Sequence, residues 1–330
     1  MKLATLRSGG RDGALIVVSR DLKTAVAATN IARSLQAALD DWARKAPRLA
    51  HLSDILNAGK AADAFTFDPT RCAAPLPRAY QWADGSAYAN HEELLRKADG
   101  APLPPWFWTD PLVYQGASDS LSGACDPIRA RSEDWGIDLG GQVAVIVDDV
   151  PMGATAGAAA GRIRLVMLAN EVSLREVIAK EQTKGWGFVQ GKVAAAFSPV
   201  AVSLDELSQA WDGGKLHGPL TVHINGQLFG RPDAGAGMTF DFPMLIAHAA
   251  RTRELEAGSI VGSGTVSNPD PAVGCACLAE KRMLESAAHG KPTTPYLRFG
   301  DRVRIEMFDP AGKSIFGAID QEVVKYVPPE

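Results

Sequence analysis

The chain has 330 residues, of which 46% are hydrophobic and 22% charged, a composition typical of a globular protein with one large domain or one large and one small. A formal net charge of -4 provides no broad basic surface, so we expect no nucleic-acid partner. The first residues show no signal-type apolar run, and no stretch approaches the roughly 20 apolar residues of a membrane helix. A cytoplasmic protein without a membrane partner is predicted.

The first part of the chain predicts short strands over KLATL, ALIVVS and TAVAAT. Apolar residues then recur every three to four positions from Leu35 to Trp42, which indicates a helix that Pro47 interrupts or restarts. A proline-rich segment follows and is typical of a linker. We therefore predict a small N-terminal domain over 1–75 and a second domain over 76–330.

The second part alternates strand-like segments with a few helices. Strands are predicted at QVAVIVDD, RIRLVMLAN, LTVHINGQL, SIVGSGTVS, CACLAEKRML, RVRIEMFD and SIFGAIDQEVVKYV, and helices at HEELLRKA, LREVIAKEQT, LDELSQAW and FPMLIAHAARTREL. The Asn-Gly pair in VHINGQLFG predicts a hairpin turn. Hairpins without regular βαβ repeats favour an α+β fold with a mixed or rolled sheet.

Two glycines stand at the entrance to one of these strands, in IDLGGQVAVIV. Gln142 to Val147 is apolar and β-branched enough for a buried strand, yet Gly140 and Gly141 offer no side chain to pack. On local pattern alone, this favours a bulge or a tight turn.

Four cysteines, Cys72, Cys125, Cys275 and Cys277, are too few and too irregular for a disulfide framework in a chain of this size. Cys275 and Cys277 have the wrong spacing for a zinc knuckle and lack a partner pair. We expect reduced thiols, with a buried structural role for that pair.

Several polar residues lie where elements begin or end. Asp84 and Gly85 predict a turn, and Asn90 is a candidate cap for a helix that begins at His91. The helix dipole favours a neutral histidine in the first turn, which suits a general base, although a surface histidine is the other interpretation. Asn170 and Glu171 end an apolar strand, where a site and a helix cap are equally consistent with the pattern.

Two further residues have unusual surroundings. Lys192 stands among glycine and apolar residues without a neighbouring charge, so it needs an anionic partner. That partner is either a substrate oxyanion or a structural carboxylate. Thr265 follows a glycine that permits close backbone approach to a ligand carboxylate or carbonyl, although a plain turn also explains it.

The segments PRAYQWADGSAYANH, SEDWGIDLGGQVAV, IRLVMLANEVSLRE, GFVQGKVAAAFSP, TFDFPMLIAHAARTR and VGSGTVSN, in this order, resemble the fumarylacetoacetate hydrolase family in its short bacterial form. The resemblance implies a small N-terminal α/β domain, a C-terminal mixed β-roll and a homodimer. It also implies a Mg²⁺ or Ca²⁺ ion held by four carboxylates and cleavage of a carbon–carbon bond in a keto acid or β-diketone. The metal would act as a Lewis acid.

The resemblance assigns roles to individual positions. The family's histidine–glutamate pair deprotonates the attacking water, and its lysine stabilises developing negative charge. Position by position, the resemblance implies a metal ligand at Asp84, catalytic residues at His91, Glu280 and Lys192, and substrate-binding residues at Tyr114, Arg175 and Thr265.

The departures from the family pattern affect the metal site. Two glutamate ligands are replaced by Gly140 and Gln142, and the aspartate that would be the fourth ligand is Glu171. Ser86 stands where the family has a tyrosine near the first aspartate, and we expect it on the substrate side. With only Asp84 and Glu171 left as residual ligands, we expect a damaged or absent site, because two carboxylates hold Mg²⁺ weakly against water.

Three functions stay open at this point. The first is hydrolysis of a carbon–carbon bond in a 1,3-dicarbonyl or keto–enol acid by a water that His91 activates. The second is a metal-independent cyclase, dehydratase, isomerase or retro-Claisen enzyme, with His91 as base and Lys192 as oxyanion partner. The third is a non-catalytic relative that binds a small acid. The polar residues retained favour an enzyme.

Overall fold

The computed structural model describes residues 1–98 and 104–329. The strands in these residues are β1 (Lys2–Leu6), β2 (Ala14–Val18), β3 (Thr24–Ala27), β4 (Phe65–Thr66), β5 (Trp82–Gly85), β6 (Val113–Gly116), β7 (Ile128–Ala130), β8 (Ile137–Asp138), β9 (Gly141–Val147), β10 (Ile163–Asn170), β11 (Ser173–Leu174), β12 (Ala196–Phe197), β13 (Ala201–Ser203), β14 (Leu220–Ile224), β15 (Gln227–Gly230), β16 (Ile260–Gly262), β17 (Arg302–Met307) and β18 (Ile319–Lys325). The α-helices are α1 (Leu35–Leu39), α2 (Trp42–Asn57), α3 (Ala89–Ala98), α4 (Ala156–Ala160), α5 (Arg175–Gln182), α6 (Leu204–Leu207), α7 (Phe242–Ala249) and α8 (Leu278–His289).

A large mixed sheet runs through the chain in the order β4-β3-β2-β1-β13-β10-β9-β16-β5-β6, with β12 beside β10. The first four strands join it through the antiparallel pairing of β1 with β13, where Leu3 faces Ala201. The pair β16 and β5 is parallel and its neighbours are antiparallel. The predicted α+β fold with a mixed sheet is therefore confirmed.

A second sheet has the order β15-β14-β17-β18-β7, and β11 pairs with β8 in a separate ribbon. The β14–β15 hairpin turns through Asn225 and Gly226, whose φ angles of 53° and 77° are both positive. A two-residue hairpin turn needs positive φ angles to match the right-handed twist of its two strands, and asparagine and glycine adopt such angles at the least cost. The predicted hairpin is confirmed.

Strand β9 lies at the centre of two hydrophobic cores because both of its faces are buried. Val145 shares one core with Val222 of the second sheet, whereas Ile146 shares the other core with Leu39 of α1 and Leu49 of α2. Alternate side chains of a strand point to opposite faces, so the apolar run of β9 fills both cores at once. The large sheet is thus covered by helices on one face and by the second sheet on the other.

Several local predictions are wrong. Asp84 and Gly85, predicted to form a turn, are the last two residues of strand β5. The segment CACLAEKRML ends in helix α8 rather than a strand, because Cys277 caps a helix there: its Sγ accepts a hydrogen bond from the Glu280 amide. Helix α2 continues through Pro47, since burial of Leu49 against the sheet compensates for one missing hydrogen bond. Helix α3 begins at Ala89, so Asn90 lies inside it and does not cap it.

Among the helices described, none has the length and apolar character required to cross a bilayer.

Candidate functional site

The polar residues of the predicted site meet because several strands of the large sheet end at the same place. β9 begins where the antiparallel β10 ends, with Gly141 opposite Asn170. Gly262, the last residue of β16, pairs with Ala144 of β9 on one side and with Asp84 of β5 on the other. The pairing therefore brings the ends of β5, β9, β10 and β16 to one edge.

Asp84 is buried at this edge, and both of its carboxyl oxygens accept hydrogen bonds. Its Oδ2 accepts from the Tyr114 hydroxyl at 2.9 Å and from Gln142 Nε2 at 3.2 Å, while Oδ1 accepts from the Gly264 amide at 3.1 Å. Burial, and secondarily repulsion from Glu171, raises the pKa of Asp84 to about 7. Burial also holds the pKa of Tyr114 well above 10.0, so its hydroxyl stays a donor.

Lys192 supplies the positive charge of this cluster. Its Nζ donates to Glu171 Oε2 at 2.6 Å and lies 4.6 Å from the centre of the Tyr114 ring. Such a cation over an aromatic face is stabilised by the ring's electron density. The other carboxylate oxygen, Glu171 Oε1, is buried without a hydrogen-bond partner among the residues described. The cluster therefore contains one ammonium ion and one carboxylate oxygen available to a ligand.

Gly140, the residue before β9, is closely packed against the backbone of Glu171. A Cβ atom at Gly140 would lie 2.5 Å from the backbone oxygen of Glu171. The two segments are joined by a hydrogen bond from the Glu171 amide to the Gly140 carbonyl at 2.8 Å, and Asn170 Oδ1 accepts from the Gly140 amide at 3.0 Å. The bulge favoured by local pattern is wrong: the β9–β10 irregularity lies at the far end, near Ile163.

The ligand atoms at these positions do not fit a Mg²⁺ or Ca²⁺ ion, although members of the family typically bind a divalent metal. Both ions prefer at least six oxygen ligands. The carbonyl oxygen of Gln142 already accepts from the Gly264 amide at 2.9 Å, and Gly140 offers neither a ligand nor room for one. The ammonium of Lys192, 2.6 Å from Glu171 Oε2, would repel a dication.

A histidine–glutamate pair forms the second polar group. His91 Nδ1 lies 2.7 Å from Glu280 Oε2, and the other carboxylate oxygen accepts from Ser267 Oγ at 2.9 Å. Ser267 in turn accepts from Asn90 Nδ2 at 2.7 Å. A carboxylate at Nδ1 favours the tautomer with its proton there, which leaves Nε2 as the acceptor. The His91 side chain is 11% exposed and that of Glu280 only 2%, so solvent reaches the imidazole but not its partner.

Arg175 contacts a different carboxylate. Its Nε donates to Asp138 Oδ2 at 2.8 Å, and Asp138 also accepts from the amides of Leu278 and Ala279 at 2.7 and 3.1 Å. These amides belong to the first turn of α8, where a negative charge is favoured by unpaired donors and by the helix dipole. The Arg175–Asp138 pair thus fixes the helix that carries Glu280.

The two polar groups border one loop. The Gly264 amide contacts Asp84, and Ser267 contacts Glu280. Three residues of chain span at most about 11 Å between these two positions. Thr265 lies between them and is half-buried, with its Oγ1 3.5 Å from where a Gly140 Cβ would lie. The loop therefore joins the two polar groups over a short distance.

Ser86 is half-buried in the loop after β5, where its amide donates to the Leu112 carbonyl at 2.8 Å. A large cleft of about 1190 Å³ lies elsewhere, between the β2–β3 turn and residues 308–315, and none of the predicted site residues lines it. Sequence reasoning missed the roles of Asn90, Asp138 and Ser267, because nothing in their local pattern distinguishes them from ordinary caps and turns.

Two family models match the chain over nearly its whole length. The model described as fumarylacetoacetase N-terminal domain 2 matches residues 1–78, and the one described as fumarylacetoacetate (FAA) hydrolase C-terminal matches residues 81–324. Among curated proteins, oxaloacetate tautomerase fahd2, mitochondrial, from Xenopus laevis is 25% identical over 218 residues, which cover 65% of this chain. The match spans 58% of the length of that relative.

Solved structures show the same fold. Fumarylacetoacetate hydrolase from Exiguobacterium antarcticum superposes with a TM-score of 0.66 at 19% identity, covering 99% of this chain and 100% of that one. The 5-carboxymethyl-2-hydroxymuconate delta-isomerase from Mycobacterium smegmatis superposes with a TM-score of 0.60 at 16% identity, with coverages of 99% and 100%.

Proposed function

The chain belongs to the fumarylacetoacetate hydrolase family, and on that premise we propose that it is an enzyme that moves a proton at the carbon between two carbonyl groups of a small keto–enol acid. The observation that carries this proposal is the 2.7 Å contact between His91 and Glu280. A histidine oriented by a buried carboxylate is suited to general acid–base work near neutral pH.

In the proposed reaction, His91 Nε2 takes the proton from the carbon between the carbonyls, and the electron pair of the broken C–H bond forms an enolate. Glu280 holds Nδ1–H and stabilises the imidazolium that results. The same proton then returns to the enolate oxygen and gives the enol, so atoms and charge balance without an added reagent.

Lys192 is the proposed partner of the enolate oxygen. The Lys192 side chain is 14% exposed, and Glu171 and the Tyr114 ring hold its ammonium in position before substrate binds. Preorganised positive charge in a site with little water stabilises a developing oxyanion strongly. No step needs a divalent metal, because the proposed electrostatic role falls to the ammonium.

The reactions of the relatives support this class of chemistry. The similar proteins include an oxaloacetate tautomerase, a fumarylacetoacetate hydrolase and a 5-carboxymethyl-2-hydroxymuconate delta-isomerase, whose names denote small keto or enol acids as substrates. Hydrolysis of a carbon–carbon bond is a second candidate, which the 11% exposure of His91 favours because it admits water to the imidazole. The same histidine would then deprotonate water instead of carbon.

The test is an assay of oxaloacetate and an acylpyruvate, following enol absorbance and acid release, with and without EDTA. We expect EDTA-insensitive turnover that falls by roughly 10²–10⁴-fold in His91→Ala. His51→Ala, which changes an exposed histidine on α2, is the matched control and should keep full activity. EDTA-sensitive turnover would overturn the metal-independent mechanism, and ligand binding without turnover would identify a non-catalytic relative.

A further inference from the structure

A third side chain lies beside the histidine–glutamate pair. A ring nitrogen of His91, Cys277 Sγ and a carboxylate oxygen of Glu280 all lie within 4.8 Å of one another. Bonds of 2.0–2.3 Å to a tetrahedral zinc ion put its ligand atoms roughly 3.5 Å apart. We propose that these three residues bind Zn²⁺, with water in the fourth position, and that the bound ion inhibits the enzyme.

The fit needs only small movements. The histidine and glutamate atoms, now 2.7 Å apart, must separate by somewhat less than 1 Å, and Cys277 Sγ, within 4.8 Å of both, must approach by at most about 1.3 Å. The His91 side chain, 11% exposed, provides both the freedom to move and the route by which an ion enters. Glu280 is held on its other oxygen by Ser267, which keeps Oε2 directed at the site.

The ligand types select the ion. One nitrogen, one sulfur and one oxygen ligand suit zinc and similar late transition metals, whereas Mg²⁺ and Ca²⁺ prefer oxygen alone. Binding forms a Zn–S bond, breaks the S–H bond of Cys277 and releases its proton to solvent. The thiolate and the Glu280 carboxylate then neutralise both charges of the ion. A neutral centre costs little to bury in a site where both anionic ligands are already enclosed.

Helix α8 assists the thiolate. Cys277 precedes the first turn of this 12-residue helix, and its Sγ accepts from the Glu280 amide at 3.4 Å. Amides at a helix N-terminus stabilise a thiolate. Without an ion, Cys277 is buried and serves as the cap of the helix, and a bound metal would displace its proton.

Inhibition follows from the position of the ion. Zinc on Nδ1, the nitrogen that faces Glu280, displaces the proton from Nδ1, and that proton moves to Nε2 in the neutral tautomer. Nε2 then has no lone pair with which to take a proton from substrate, and Glu280 no longer orients the ring. This half of the inference rests on the proposed role of His91. The binding half does not, since it depends only on the three ligand atoms.

The first experiment measures binding with no reference to activity. The full chain is titrated with Co²⁺, whose thiolate ligation gives a strong near-ultraviolet charge-transfer band, and Zn²⁺ affinity is measured by competition with a chromophoric chelator. Calorimetry in buffers of different ionisation enthalpy should show release of one proton per zinc. Absence of the cobalt band in the wild-type chain would overturn the site.

The variants identify the ligand. Cys277→Ser keeps the helix cap, because serine caps better than cysteine, but removes the thiolate. It should lose the cobalt band and bind zinc roughly 100-fold more weakly. Removing a residue that only hydrogen-bonds to a metal ligand already lowers metal affinity by about 10–100-fold, and removing the ligand itself lowers it at least as much. Cys275→Ala is the matched control, because Cys275 is a buried cysteine two residues before Cys277. It should leave the cobalt band and the zinc affinity unchanged.

Two further results decide the remaining points. His91→Ala should weaken zinc binding but retain the cobalt band, and it serves as the second test if Cys277→Ser does not fold. Unchanged zinc affinity in both variants would overturn the site. If micromolar zinc fails to slow turnover although it binds through Cys277, inhibition is overturned. If the wild-type chain has no turnover at all, the proposed function fails and the cobalt spectrum still decides the site.

Discussion

The two polar groups on either side of the 264–267 loop differ in how their charges are balanced. The histidine–glutamate pair is a chain of hydrogen bonds from Glu280 through Ser267 to Asn90, with each partner satisfied. The neighbouring group has two buried carboxylates and one ammonium, and Glu171 retains an oxygen without a partner. Both carboxylate oxygens of Glu280 thus have hydrogen-bond partners, whereas Glu171 Oε1 remains as an acceptor for a ligand.

Under the proposed function, this difference separates the residues that would transfer protons, His91 and Glu280, from the residues that balance charge around Lys192. Asp84 is fixed by Tyr114, Gln142 and Gly264, and Gly140 allows the close approach of the Glu171 backbone. Gly140 and Gln142, which stand where the family pattern has metal ligands, therefore take part in the packing and hydrogen bonding of the site. The cluster of Asp84, Glu171 and Lys192 differs in charge from the metal site of the family pattern, whereas the His91–Glu280 pair is kept. This combination is consistent with an enzyme that stabilises negative charge with an ammonium group.

Glu280→Gln gives the largest expected effect on the acid–base side. An amide cannot stabilise the imidazolium as a carboxylate does, so kcat should fall by roughly 10²–10⁴-fold with a small change in KM. Steady-state kinetics across pH measure this. Glu322→Gln, on the exposed face of β18, is the control. An unchanged kcat in Glu280→Gln would show that the pair is only structural.

Lys192→Met tests the charge cluster. Removing a preorganised cation should lower kcat by roughly 10²–10³-fold, and Lys192→Arg should recover part of the loss because it keeps the charge but not the compact geometry. We compare kcat and the thermal unfolding temperature of both variants, because Lys192→Met leaves the buried Glu171 carboxylate without its ammonium partner. Full activity in Lys192→Met would remove the ammonium from the mechanism.

Gly140→Ala tests whether the entrance of β9 is close-packed. The added methyl meets the Glu171 carbonyl, so the free energy of unfolding should fall by about 1–3 kcal/mol. Gly157→Ala is the matched control: it lies in α4 with nothing within 4 Å of the added atom, and should be neutral or slightly stabilising. Urea denaturation measures both. Equal effects would mean that Gly140 occupies open space.

Asp84→Asn should have the smallest effect, visible as a pH dependence. Burial raises the pKa of Asp84 from 3.8 to about 7, so between these values the folded chain binds more protons than the unfolded one. The free energy of unfolding of the wild type should therefore fall as pH rises from about 4 to 7 and then level off. The asparagine variant lacks that contribution. Parallel stability curves for the two proteins between pH 5 and 8 would contradict the assigned pKa.

The sequence alone determined the local features whose causes are local. The apolar run of β9, the Asn225–Gly226 hairpin and the start of α5 at Arg175 follow from periodicity and turn chemistry. The resemblance to the family identified His91 and Glu280, although 189 positions separate them along the chain. It could not tell which contacts their neighbours make.

Only the tertiary structure decided how charges and close contacts are arranged. Helix α8 replaced a predicted strand, and the carboxylate that accepts from the amides of its first turn, Asp138, is distant in sequence and reaches them only in the folded chain. The same helix brings a thiol against His91, which no spacing rule for cysteine pairs would reveal. Likewise, Gly140 needs to be glycine because of the Glu171 backbone, which is 31 residues away along the chain and adjacent in space. Long-range packing fixes such contacts, and local sequence preferences do not contain them.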